Sequence, residues 1–240
     1  EVQILADTHG TTWAVGVRDC SLQLRNQRLV AEAPATVLSL AQERALREAA
    51  VRLCQEAGYS GAGTVEFLFA PASGAFSFLK FNPGLSAEHP LTEATTGLDL
   101  VKLQLHVARG GKLEGWAPPS VGHAIQVRIN AEDPERGFAP NSGTLAVLRL
   151  PTGAGLRVES GFGEGDVVPP EFDSGIAKLI ASGRDRREAL ARLRRALAET
   201  MILLRGGTTN KSFLYCLLDQ PALRSCAADV AWLDGSAAHL

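Results

Sequence analysis

Phe78-Leu79-Lys80-Phe81-Asn82-Pro83-Gly84-Leu85-Ser86-Ala87-Glu88-His89-Pro90-Leu91-Thr92-Glu93 is the stretch on which the fold turns. Its first part reads as the end of a strand over 75–82. Residues 64–70 read as a second strand, and Pro71-Ala72-Ser73-Gly74 between them are turn formers. A hairpin centred on Ser73 puts Glu66 directly opposite Lys80. Side chains alternate between the faces of a strand, so Lys80 and Asn82 share one face. A carboxylate, an ammonium and an amide therefore gather on one side of a two-stranded ribbon.

Working outward, residues 2–6 and 12–18 predict two strands joined by a turn at Asp7-Thr8-His9-Gly10. Ser39 is a candidate cap for a helix over about 40–57, where Leu46, Ala50, Leu53, Cys54 and Ala57 recur at helical spacing and Gly58 stops it. A helix over 97–109 carries Leu98, Val101, Leu105 and Ala108 on one face. Pro118-Pro119 marks a linker. Strands follow at 122–130, 143–150 and 175–182, and glycines 153, 155, 161, 163 and 165 mark turns. Residues 184–204 predict a long helix with an apolar stripe of Ala189, Leu190, Leu193, Ala196, Leu197 and Met201, and 209–219 a last one. Strands and helices mix without a regular βαβ rhythm, so the fold class is α+β.

Composition narrows the functional classes. With 24 basic and 26 acidic residues the formal charge is −2, which offers no basic field for nucleic acid or an anionic membrane. No apolar run reaches the roughly 18 residues of a membrane span. Glu1-Val2-Gln3-Ile4-Leu5 does not resemble a signal peptide and reads as a strand entered in mid-domain, as in a fragment. Cys20, Cys54, Cys216 and Cys226 lack metal-site spacing, so reduced thiols and a cytoplasmic location are expected. The glycines over 58–63 are no phosphate loop, because no Gly-Lys-Ser/Thr follows.

The opening stretch resembles the active-site segment of biotin carboxylases, F-[IL]-E-[MV]-N-x-R-[IL]-Q-V-E-H-P-V-T-E. Other matches occur in order along the chain: Arg18-Asp19-Cys20-Ser21, Glu32-Ala33-Pro34-Ala35, Gly58 through Phe67, Arg128-Ile129-Asn130-Ala131-Glu132-Asp133-Pro134, Phe172-Asp173-Ser174 and Thr208-Thr209-Asn210. The resemblance implies an ATP-grasp large lobe, an antiparallel sheet flanked by helices, continuing into the biotin carboxylase C-terminal domain. The implied domains are 1–117 and 120–240. The implied reaction is ATP-dependent carboxylation of carrier-bound biotin. Bicarbonate attacks the γ-phosphate to give carboxyphosphate, whose carbon dioxide is taken up by deprotonated N1 of biotin. The family's lid and N-terminal lobe have no counterpart in these residues. ATP, Mg2+ or Mn2+, a biotin carboxyl carrier, a carboxyltransferase and a homodimer are the implied cofactors and partners, and fatty acid biosynthesis the implied setting.

The resemblance also assigns roles. Glu66 and Asn82 match metal-side residues, but Lys80 stands where the second metal glutamate belongs. Two unit charges 4 Å apart interact by about 4 kcal/mol at an effective dielectric near 20, and by about 8 when one is divalent. Lys80 therefore either pairs with Glu66 or itself neutralises phosphate oxygens. The alternative for Glu66 is a plain strand carboxylate, and for Asn82 a turn residue before Pro83. Gly84 replaces the arginine that holds bicarbonate and the biotin enolate. Ser86 and Ala87 replace bicarbonate-binding residues. Glu88 matches the general base, His89 reads as structural, and Arg128 matches an arginine that grips carboxyphosphate or biotin. A surface arginine or a partner of Asp133 is the other reading of Arg128. Gln23, Gln27 and Arg28 match residues of the nucleotide and bicarbonate pocket, and Asn26 stands where His is common. Leu68 matches a residue near the adenosine, with core packing as the alternative. Gly175 replaces a usual Met. Impaired or absent activity follows, with a non-catalytic module for assembly or weak nucleotide binding as the alternative.

Overall fold

The computed structural model describes every residue except 26, 170, 172 and 237–240. Two expectations, on Asn26 and Phe172, lie outside the described residues. The chain groups into two compact units. One comprises residues 1–19 and 32–122, the other residues 20–31 and 123–240.

The first unit is built on an antiparallel sheet in the order Thr12–Val17, Val2–Ala6, Gly61–Ala70, Ala75–Pro83. Its strands alternate as pleated strands must. Val2, Ile4 and Ala6 pack with Val65 against Leu46, Ala50 and Cys54 of the helix Leu40–Glu56. Leu5 points the other way, into a cluster with Ala62, Val107 and Leu113. Ser39 caps the first helix with a full capping box, its hydroxyl and the Gln42 side chain reciprocally satisfying backbone amides. The Asp7 turn forms as expected: its Oδ1 accepts from the amides of His9 and Thr11 and its Oδ2 from that of Leu113, each at 2.8 Å. Burial opposes ionisation of Asp7, but these amides outweigh it and hold the carboxyl below its ordinary value of 3.8.

Two features of this unit differ from expectation. The helix expected over 97–109 runs over Leu100–Ala108, and an additional helix, His89–Thr96, precedes it. Gly97, at φ +73°, ends the first, and the Asp99 side chain caps the second. The buried face of the second helix is Leu100 and Val107, while Val101 and Leu105 are exposed. This helix is apolar nearly all round, so spacing alone does not choose the face. Leu5, Ala62 and Leu113 do.

The second unit carries a sheet in the order Leu156–Ser160, Gly175–Gly183, His123–Asn130, with Val30 and Ala31 at its edge. Ile125, Val127, Ile129 and Leu179 pack against Ala189, Leu193, Ala196 and Leu197 of the helix Arg186–Glu199, with Phe213, Leu214 and Leu217 of the helix Lys211–Leu217 beside them. The strand Leu156–Ser160 was not foreseen among the turn glycines. The helix expected to 204 stops at Glu199, and Met201–Arg205 is a strand paired with Gly143–Arg149. Met201 is therefore 53% exposed and no part of the helix stripe. The apolar run 201–204 continues a helical pattern but finds its backbone partners across a sheet. No described helix is long and apolar enough to cross a membrane, and no disulfide joins the four cysteines.

Candidate functional site

The ribbon Gly61–Ala70/Ala75–Pro83 pairs Glu66 with Lys80 and Thr64 with Asn82, as the sequence predicts. The route differs. The turn closes tighter, with Ala70 opposite Ala75, and a register shift between Glu66 and Phe67 restores the expected partner. That irregularity is a bulge, which adds one residue to one strand. The Glu66 side chain is 10% exposed and that of Lys80 55%. The Lys80 ammonium lies 3.5 Å from Glu66 Oε1, and the Asn82 side-chain amide donates to the same oxygen. Leu68 sits two residues along the same face and is half exposed.

A divalent cation such as Mg2+ needs several oxygen donors. Here one carboxylate oxygen already accepts from an ammonium and an amide, and the opposite strand presents a cation. Among the described residues no group of three or more His, Cys, Asp or Glu is placed to hold a metal ion. The residues at this face do not fit the paired-carboxylate site that the family motif implies.

After Pro83 the chain turns at Gly84, φ +94°. The Gly84 amide donates to the Ala62 carbonyl at 2.8 Å and faces the Tyr59 hydroxyl at 3.2 Å. A Cβ added at Gly84 meets nothing within 4 Å. Space is therefore open, and backbone conformation is the obstacle to any side chain. Gly84→Ala and Gly84→Arg are each expected to lower stability by about 1–2 kcal/mol, equally within error, because L residues resist this region. Urea unfolding of both variants checks this. A far larger loss for arginine would mean that bulk, not backbone, limits the position.

Ser86 is held rather than open. Its hydroxyl accepts from Arg18 Nη2 at 3.2 Å, and its carbonyl faces His89 Nδ1 at 2.9 Å. This gives His89 the structural role expected of it. Ala87 is exposed. Glu88 is 2% exposed and starts the helix His89–Thr96, where the positive end of the helix dipole favours a carboxylate.

In the sequence Arg18 stands out only as part of the Arg18-Asp19-Cys20-Ser21 motif. Among the described residues it is the largest fully buried side chain. Its guanidinium donates to Glu1 Oε2 at 3.0 Å, Gln3 Oε1 at 2.8 Å, Thr92 Oγ1 at 2.9 Å, Thr64 Oγ1 at 3.3 Å and Ser86 Oγ. One side chain thus ties the sheet to the segment that carries Ser86 and Glu88. The available signal was an arginine directly after a buried apolar strand.

In the second unit, Gln23 and Arg28 pair across a short hairpin, as do Leu24 and Gln27, and Gln23 Nε2 donates to the Cys20 carbonyl. Arg128 projects from His123–Asn130 and bonds Asp173 at 3.1 and 3.4 Å, not Asp133. Gly175 lies against this pair: its amide donates to Asp173, and a Cβ there would stand 3.1 Å from Asp173 Oδ1 and 3.6 Å from Arg128 Nη2. Asn210 clamps the same strand, accepting from the Asn130 amide at 2.9 Å and donating to the Arg128 carbonyl at 3.2 Å. Asn130 Nδ2 and the Ser174 hydroxyl both donate to buried Glu132.

Residues 1–115 match the family model of the carbamoyl-phosphate synthase L chain ATP-binding domain, and residues 126–235 that of the biotin carboxylase C-terminal domain. The chain belongs to the biotin carboxylase family. It matches that family's C-terminal region. It is 46% identical over 239 residues to the biotin-dependent acyl-coenzyme A carboxylase alpha3 subunit of Mycobacterium leprae, covering 98% of this chain and 40% of the relative. The biotin carboxylase of Nostoc is 42% identical over 92% of this chain and 49% of its own length. Among solved structures, the biotin carboxylase domain of the Hydrogenobacter thermophilus 2-oxoglutarate carboxylase, a dimer with MgADP, ADP and bicarbonate, superposes with a TM-score of 0.93 at 36% identity, over 98% of this chain and 52% of that one. A thermophilic 2-oxoglutarate carboxylase domain bound to ADP without magnesium, its phosphate tail disordered, also gives 0.93 at 37% identity, over 98% of this chain and 52% of that one. The chain spans about half the length of the relatives it matches, 40% and 49% for the two sequences above. The α+β class and the ATP-grasp large lobe read from the sequence are thereby established.

Proposed function

We propose that this chain is the nucleotide-side lobe of a biotin carboxylase, with residues 1–117 the ATP-grasp half and 120–240 the C-terminal domain. The parent reaction is ATP- and bicarbonate-dependent carboxylation of biotin on a carrier, for transfer by a carboxyltransferase. A homodimer is the assembly proposed, by likeness to the dimeric relative. In this reading each unit brings its own motif residue: Glu88, in the first, has the part of the base that takes the proton of bicarbonate, and Arg128, in the second, that of a fork for a planar anion. By the family motifs, Ser86 and Ala87 of the first unit and Gln27 and Arg28 of the second match bicarbonate- and biotin-contacting positions, and Leu68 of the first and Gln23 of the second match nucleotide-contacting ones. Support comes from the order of the family motifs along the whole chain and from the burial of Glu88.

Carboxylation itself is proposed to be impaired. The observation that carries this is Gly84, which supplies no cation where the family motif has arginine and holds a backbone that arginine resists. Oriented donors of that kind contribute about 3–4 kcal/mol in transition states. The ion pair of Lys80 with Glu66 favours the same conclusion, and with it the second reading, a non-catalytic module that binds nucleotide. The test is phosphate release from ATP with Mg2+, bicarbonate and free biotin. No bicarbonate-dependent release is expected. Release that depends on bicarbonate and disappears in Glu88→Gln overturns the impairment.

A further inference from the structure

The inference rests on the nucleotide-lobe reading and concerns what this lobe requires of its ligand. One face of the ribbon carries Glu66 and Leu68 on one strand, opposite Lys80 and Ser77 on the other, with Asn82 beside them. Glu66 is buried, whereas Lys80 and Leu68 are about half exposed. We propose that the Lys80 ammonium takes the place of a metal ion, so that this face binds the diphosphate of a nucleoside diphosphate without any divalent cation.

Charge supplies the first argument. Two carboxylates at positions 66 and 80 would repel a diphosphate unless a cation stood between them. Glu66 at −1 and Lys80 at +1 sum to zero, so the face carries no such repulsion. Donors supply the second. An ammonium has three N–H donors and no acceptor. Glu66 Oε1 engages it from one side, at 3.5 Å, which leaves the exposed side of the head for phosphate oxygens. That ion pair and the Asn82 amide fix Glu66 without a metal. Leu68 offers an apolar surface along the same strand face for the non-phosphate part of the ligand, as mixed apolar and polar ligand sites require.

The test is calorimetric titration of ADP, with AMP as control, into this chain in EDTA and again in magnesium chloride. Wild type is expected to bind ADP equally in both and to prefer it to AMP. Lys80→Gln is expected to weaken ADP by about tenfold or more in both, the scale of a lost charged hydrogen bond. Lys80→Glu is expected to lose ADP in EDTA and regain it with magnesium, because it restores a carboxylate pair. The exposed position of Lys80 lets both variants fold, which circular dichroism verifies. Wild-type binding that requires magnesium overturns the proposal and leaves the nucleotide lobe standing. So does magnesium-independent binding that Lys80→Gln leaves unchanged. Absence of ADP binding under every condition overturns the nucleotide-lobe reading, and this inference with it.

Discussion

Arg18→Met is expected to lower the unfolding free energy by about 3–5 kcal/mol, the usual cost of removing one partner from a buried ion pair. The side chain is almost inaccessible, and five residues accept from it: Glu1, Gln3, Thr64, Ser86 and Thr92. Methionine fills much of the volume, so the loss reports hydrogen bonds and charge rather than a cavity. Glu1 has a side-chain exposure of 4% and loses its guanidinium. The hydroxyls of Thr64, Ser86 and Thr92 lose a donor each. Arg18→Lys is expected to recover little, because a compact ammonium cannot reach five acceptors spread around a planar fork. Urea unfolding followed by circular dichroism measures both variants. A loss below about 1 kcal/mol would place Arg18 with surface ion pairs and remove its structural role. The consequence for the site is direct, since Ser86 and Thr92 flank Glu88, and the proposed base is held in place through Arg18.

Asn210→Ala is the second large effect, about 2–4 kcal/mol, from two buried backbone groups left short of a partner. Asn210 is fully buried. Its Oδ1 accepts from the Asn130 amide, and its Nδ2 donates to the Arg128 carbonyl. Its own amide donates to the Asn130 carbonyl at 3.1 Å and remains in the variant. Asn210→Asp keeps the acceptor for Asn130 but sets a buried carboxylate oxygen against the Arg128 carbonyl, so a loss at least as large as that of Ala is expected. Hydrogen exchange at the Asn130 amide discriminates: protection falls in Ala and persists in Asp. Equal protection in both would mean that the clamp does not act through the side chain. The end of the strand that presents Arg128 is set by this residue of the distant segment Thr208-Thr209-Asn210.

Local signals along the chain suffice for the α+β class, the capped helix from Leu40 and the pairing of Glu66 with Lys80. These depend on local signals: a side-chain oxygen three residues from an amide, an alternation of period two, a turn of Pro, Ser and Gly. The sequence also holds the family motifs around Glu88 and Arg128. Other features required the tertiary structure. The bulge beyond Glu66 was hidden because a tighter turn and one extra residue cancel, leaving the expected partner in place. The end of the helix at Glu199 was hidden because Met201-Ile202-Leu203-Leu204 is apolar in either conformation, and only Gly143–Arg149 supplies the cross-strand partners that make it a strand. The inward face of Leu100–Ala108 was chosen by Leu5, Ala62 and Leu113, not by its own spacing. Arg18 was hidden most completely. Its partners at positions 1, 3, 64, 86 and 92 come from separate segments. A pattern read along the chain records which residues can form a strand or a helix. Which distant groups satisfy a buried charge is decided only when the segments pack, since an interior guanidinium must find all its acceptors there.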